Sequence, residues 1–167
     1  MLLGGTVAPS ATYIEDVFSA WTDIGTGAAR SIVNGMDFAN RGGLMWGKDR
    51  TGGTNSLIDT IQGGSKYWSS ETTDSLQTYA ANITAFNNNG FTLGSSVTIN
   101  GNGDATVYWS FLQASKFFKM AQVVVSGSDQ TVDLSSLGTL GMVVVANMTV
   151  QPKNRYVLHR SNTAGKL

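Results

Sequence analysis

Large apolar residues in this chain come in short runs, each closed off by glycine, asparagine or serine. A run of four to eight apolar residues is too short for a free-standing helix but suits a strand, and Gly and Asn supply the turns between strands. Twenty glycines punctuate the chain against only two prolines. Ten candidate strands follow: 31–33, 44–46, 56–61, 91–93, 96–99, 105–112, 117–125, 131–134, 142–149 and 156–159. Ten short strands require two packed sheets, so the expected fold is all-β, a two-sheet antiparallel β-sandwich.

The sharpest local signal is the pair 97–99 and 105–112, joined by Asn100-Gly-Asn-Gly-Asp104. Asn and Gly tolerate left-handed backbone angles, which predicts a hairpin. In the second arm Val107, Trp109 and Phe111 alternate with Thr106, Tyr108 and Ser110, which assigns the larger apolar set to the core. Ile14, Val17, Phe18 and Trp21 recur at helical spacing and predict one short helix over 14–21. Residues 1–13 read as an N-terminal arm whose Met1, Leu2, Leu3 and Val7 would pack in an assembly, and 14–167 as a single sandwich domain. An internal echo links 31–60 with 131–160, because GLMWGK then SLIDT is followed about 100 residues later by GMVVVAN then YVLHR.

Eleven basic and eleven acidic residues cancel, and charged residues make up only 13% of the chain. A neutral chain lacks the long-range attraction that nucleic acid would require, and low charge favours self-association. No apolar stretch is long enough to span a membrane. The first residues lack a basic region, and Glu15 and Asp16 come too early for a secretory signal. The Asn-x-Ser/Thr sequences at Asn82 and Asn147 read as chance in a chain rich in those residues.

Catalytic groups are scarce. With no cysteine and one histidine, His159, thiol chemistry and a two-His metal site are excluded. No serine sits in a G-x-S-x-G elbow. A retaining glycosidase needs two carboxylates close together on a sheet, but Glu15 and Glu71 stand apart from Asp59, Asp74, Asp104, Asp129 and Asp133. The reading is therefore of a non-enzyme without a cofactor. Asn100, Asn102 and Asp104 form a weak calcium candidate, since they present alternate oxygens around a Gly-rich turn. Tyr67, Trp68 and Tyr79 flank a polar stretch, and Asn87, Asn88 and Asn89 follow. Together they offer the aromatic platform and neutral hydrogen-bonding groups of a glycan site.

Several blocks carry a resemblance: GGLMWGKDR (42–50), SLIDTIQGGSKYWSSETTD (56–74), ITAFNNNGFTLGS (83–95), GNGDATVYWSF (101–111), KFFKMAQVVVSGSDQTV (116–132), LGTLGMVVVANM (137–148) and YVLHRS (156–161). Together they resemble a domain of tail-fibre and other structural proteins of marine bacteriophages, particularly those of cyanobacteria. The resemblance implies a concanavalin-like jelly roll and a place in the virion, tail- or fibre-associated and contributing to host attachment. A capsid decoration (cement) protein is the alternative, and a carbohydrate-binding or carbohydrate-active domain a remote one. The implied partners are other virion proteins, copies of the chain itself and a host surface glycan, with no nucleic acid and no membrane insertion.

Overall fold

A computed structural model of the chain describes residues 13–149 and 155–161. Met1, Leu2, Leu3 and Val7 of the expected arm lie outside the described residues. The elements are strands β1 (Phe18–Ile24), β2 (Arg30–Val33), β3 (Gly43–Asp49), β4 (Asn55–Asp59), β5 (Lys66–Ser69), β6 (Gln77–Thr78), β7 (Ile83–Asn87), β8 (Gly90–Leu93), β9 (Ala105–Leu112), β10 (Met142–Ala146) and β11 (Arg155–His159), with a four-residue helix α1 (Phe38–Arg41) between β2 and β3. Every pairing is antiparallel. A six-stranded sheet runs β1-β9-β3-β4-β5-β6, a three-stranded sheet runs β2-β8-β7, and β10 and β11 form a separate two-stranded sheet. The all-β, sandwich-like character expected from the short apolar runs is what the chain adopts.

The core lies between the two larger sheets. Met45, Ile58, Tyr108 and Leu112 reach it from the six-stranded sheet and Ile32, Ile83, Phe91 and Leu93 from the other, with Met36, Phe38 and Ile99 closing its ends. Phe91 meets Tyr108 edge-on at 5.5 Å and Phe38 at 6.1 Å between ring centroids, a geometry that aligns ring edges with ring faces. Strand β3 shows the period of two plainly: Gly43, Met45, Gly47 and Asp49 are buried while Leu44, Trp46 and Lys48 are half-buried. Gly47 is small for a reason, because a Cβ there would come within 2.9 Å of the Cγ2 atom of the buried Ile99.

Four expectations need correction. Residues 97–99 do not pair with 105–112. Asn100 N–H donates to the Ser96 carbonyl and Thr98 N–H to the Ser96 hydroxyl, so this β-branched segment closes on itself as a turn. The helix expected over 14–21 is only a single 3-10 turn, Ile14–Asp16, and Phe18 onward is strand β1. Seven residue pairs between β1 and β9 outweigh a helical stripe too short to be stable alone. Segments 117–125 and 131–134 are not strands, although Phe118 N–H folds back onto the Ala114 carbonyl.

The face assignment of β9 is reversed for Trp109 and Phe111, although Val107 is buried as expected. Thr106, Tyr108, Ser110 and Leu112 are buried at 1% exposure or less, whereas Trp109 and Phe111 are half-buried on the opposite side. Two of the three hydroxyls are compensated inside: Tyr108 donates to the Ile99 carbonyl at 2.5 Å, and Ser110 accepts from the Asn34 amide at 3.0 Å, while the Thr106 hydroxyl is buried without a hydrogen bond. Trp109 is thus not a core residue between the sheets.

Of the 31–60 and 131–160 echo, the strand-loop-strand portion recurs in space. Both β3–β4 and β10–β11 are antiparallel hairpins, with Leu44 opposite Asp59 and Val143 opposite Leu158. The leading strand does not recur, since residues 131–134 have no strand counterpart to β2.

Candidate functional site

Because directly opposed residues of antiparallel strands share a face, the pairings lay out the outer side of the six-stranded sheet. Ala20 faces Trp109, Trp109 faces Trp46, Trp46 faces Leu57 and Leu57 faces Trp68. Three indoles and a leucine therefore form one row across β9, β3, β4 and β5. Trp46 and Trp109 meet edge-on with centroids 5.3 Å apart. The neighbouring row holds Phe18, Phe111 and Leu44, where Phe111 touches Phe18 at 5.0 Å and Phe118 at 5.8 Å. All three indoles are half-buried. The ring N–H groups of Trp46 and Trp68 are shut off from solvent and make no hydrogen bond.

The row ends at a cation. The Arg155 guanidinium lies 5.3 Å from the centre of the Trp68 ring, close enough for attraction to the ring face. Its Nη1 donates to the Thr72 carbonyl and its Nη2 to the Asp74 carbonyl. This contact, with the Leu76 N–H donating to the Met148 carbonyl, ties the β10–β11 hairpin to the edge of the large sheet.

The residues expected to form a glycan site are dispersed. Trp68 joins the outer row, but Tyr67, its neighbour in β5, turns inward and packs against the core. Tyr79 is 36% exposed beyond β6. Asn87, Asn88 and Asn89 lie at the β7–β8 turn of the three-stranded sheet, where the Asn87 amide donates to Thr92 and the Asn89 carbonyl accepts from Asn34 and Gly35. Trp46, Leu57, Trp109 and Arg155 complete the row in their place. The alternation in GLMWGK and ATVYWSFL signals that Trp46 and Trp109 share a face with their strand neighbours two residues away. Only the register shows that they meet.

At the calcium candidate, Asn100 is wholly buried and its side chain is fully used. Oδ1 accepts from Thr26 N–H at 3.1 Å and from Arg30 Nε at 3.2 Å, while Nδ2 donates to the carbonyls of Ala28 and Gly94 at 2.8 Å each. Gly25 N–H donates to the Asp104 carbonyl and Gly103 N–H to the Gly25 carbonyl. A Cβ at Gly25 would come within 2.0 Å of the Gly101 carbonyl oxygen. Gly25–Gly27 is the corner at which the chain leaves β1 for the other sheet, locked onto 100–104. Arg30 completes the corner with an ion pair to Asp23 at 2.9 Å. Among the described residues, no three acidic or histidine side chains gather as a metal site would require.

Two ionisable groups are displaced by their surroundings. Burial pushes the Tyr108 hydroxyl up to about 12, against a smaller opposing pull from the Arg30 charge. For Asp49, desolvation raises the carboxyl, but hydrogen bonds from the Thr51 hydroxyl and the N–H groups of Thr51, Gly53 and Gly52 together outweigh it and hold it below the usual range. Asp49 thereby braces the β3–β4 turn. His159 is exposed, and its Nδ1 accepts from Ser161 N–H.

Asn82, in one of the two Asn-x-Ser/Thr sequences, is wholly buried and accepts from the Ser96 hydroxyl at 2.6 Å. Among the described residues, no helix is long and apolar enough to cross a membrane.

No curated protein and no solved structure matches the chain. One family model does, over residues 14–166, from the 3-10 turn before β1 to beyond β11. A match of that extent places the chain in a family described as a domain of unknown function, DUF7483.

Proposed function

We propose that the chain is a non-enzymatic structural component of a bacteriophage virion, tail- or fibre-associated, that assembles with copies of itself and contributes to host attachment. In this reading the fold is a concanavalin-like jelly roll. The observation that carries the attachment role is the Trp109-Trp46-Leu57-Trp68 row, a largely buried aromatic strip with part of its surface open on the outside of a sheet. With strands about 4.8 Å apart, the strip is roughly 14 Å long. That length suits a short oligosaccharide, whose apolar ring faces stack on indoles. The chain has no net charge to steer an ionic ligand, so binding through this strip depends little on salt.

Antibody-labelled electron microscopy of virions, with glycan-array binding of the purified protein, tests the proposal. Label at the tail, with glycan binding reduced about tenfold or more in Trp46→Ala and Trp68→Ala, is the expected result. Label confined to the head supports the cement alternative, and no glycan binding by the wild type removes the attachment role.

A further inference from the structure

Beside the row of indoles, a second row crosses the same outer face of the six-stranded sheet. Val107 pairs with Lys48 and Lys48 with Asn55, each two residues along its strand from Trp109, Trp46 and Leu57. The ladder continues past β5, where Ser70 N–H donates to the Asn55 carbonyl, and Glu71 follows with its own N–H held by the Ser69 hydroxyl. Three side chains meet end to end here. Lys48 Nζ donates to Asn55 Oδ1 at 2.9 Å, and Asn55 Nδ2 donates to Glu71 Oε2 at 2.5 Å. Among the described residues, Lys66 instead donates to the Thr78 hydroxyl and Lys119 to the Asp133 main-chain carbonyl.

An amine is a nucleophile, a carboxamide carbon is an electrophile, and a carboxyl group can carry a proton between nitrogens. The order of the three groups suits that chemistry. Because Oδ1 is bonded to Cγ at about 1.23 Å, Lys48 Nζ stands no more than about 4.1 Å from Asn55 Cγ, within about 1 Å of the roughly 3–3.5 Å at which reacting atoms wait before attack. Lys48 and Asn55 are half-buried, with the buried Val107 beside the lysine on the neighbouring strand. Glu71 lies open to solvent, so a small leaving group released beside it has a way out.

We propose that Lys48 and Asn55 join covalently through an isopeptide bond, with Glu71 as the proton carrier. The unprotonated Lys48 Nζ attacks Asn55 Cγ and forms the new N–C bond. The Glu71 carboxylate takes a proton from Nζ and delivers it to Nδ2 as the Cγ–Nδ2 bond breaks. One secondary amide and one ammonia result, and no oxidant, reductant or cofactor is consumed. The reaction has to happen only once per chain, so a slow attack sustained by proximity is sufficient. Closing so short a loop adds little stability through chain entropy. Its consequence is local: the turn 49–54, in which Arg50, Thr51 and Gly52 are exposed, becomes part of a covalent ring, and a protease cut within it leaves β3 and β4 joined.

Intact mass spectrometry of the full chain tests this. Wild type, incubated for days after purification, should weigh less than its sequence by one ammonia. Trypsin does not cut after an acylated lysine but does cut after Arg50, so digestion should yield residues 42–50 and 51–66 as one branched peptide, a reading that depends on no variant. Lys48→Arg keeps a donor to Asn55 without the nucleophile and should keep its full mass. Glu71→Gln keeps an acceptor for Nδ2 without a group that takes up the proton, and should form the bond at least about a hundredfold more slowly. Asn-Gly sequences such as Asn102-Gly103 also lose ammonia by closing on their own backbone, but that loss would persist in Lys48→Arg. A wild type of full mass, a mass loss that persists in Lys48→Arg, or a digest in which 42–48 and 51–66 separate would overturn the bond, and Glu71→Gln reacting at the wild-type rate would overturn the role of Glu71.

Discussion

Replacing Asn100 with alanine tests whether the 100–104 loop is a structural lock or a metal loop. The substitution removes four hydrogen bonds at once. The Gly94 carbonyl sits in buried surroundings, so orphaning it costs about 1–3 kcal/mol. Thr26 and Ala28 are exposed residues whose freed groups can turn to water, at roughly 0.5 kcal/mol each. Arg30 keeps Asp23. Adding about 1 kcal/mol for the vacated space gives a total of about 3–5 kcal/mol, or a Tm lower by roughly 10–15 °C for a chain of this size. Urea unfolding should show the midpoint moving at unchanged m-value. Asn100→Asp keeps Oδ1 but turns both donations into an acceptor facing two carbonyls, so it should be no more stable than the alanine variant. Calcium should stabilise neither the wild type nor the aspartate variant. Alanine costing under about 1 kcal/mol, or a calcium-dependent rise in Tm restored by aspartate, would refute the lock.

Two further outcomes follow from the core. Tyr108→Phe strands the buried Ile99 carbonyl and should cost about 1–3 kcal/mol, measurable by denaturant unfolding. The same hydroxyl makes stability fall in alkali: its folded value of about 12 lies above the ordinary 10.0, so the unfolded chain loses its proton first. The contribution is whole below pH 10 and is lost as pH rises through 12, on the order of 3 kcal/mol. In Tyr108→Phe that part of the alkaline limb should disappear. Gly47→Ala drives a Cβ against Ile99 and should cost about 1–3 kcal/mol by overpacking. Combining it with Ile99→Ala should give a double variant less destabilised than the sum, whereas strict additivity would show that the two do not touch.

Strands β2, β3, β4, β8, β9, β10 and β11 were legible from apolar runs bounded by turn residues, because those are local signals. What failed was pairing, facing and the strands that carry few apolar residues or a helical spacing: β1, β5, β6 and β7 were not foreseen, and 117–125 and 131–134 are not strands. Val17 before strand β1 and Phe18 and Trp21 in it stand at intervals that a helix also satisfies, and only the ladder with β9 decides between the two. On β9, a rule of size put Trp109 and Phe111 inside. Partners for the Tyr108 and Ser110 hydroxyls lie on Ile99 and Asn34, which sequence spacing does not connect to them. The same limit applies to the candidate site. Trp68 stood out as an aromatic beside a polar stretch, but its true neighbours arrive through three registers and, with Arg155, from the far end of the chain. Residues 97–99 misled because Val, Thr and Ile favour strands, whereas the Ser96 hydroxyl and carbonyl offered the backbone a nearer bond.

The pairing of Phe18 with Phe111 also has a kinetic meaning. The first strand of the large sheet cannot find its neighbour until almost everything between them has been made, and contacts so distant in sequence place folding on the millisecond-to-second scale. At about 5–20 residues per second, a ribosome takes several further seconds to add the chain beyond β9, time enough for the core to close first. The apolar hairpin then emerges onto a body already folded, so its exposed valines reach water only after the core between the two larger sheets has closed.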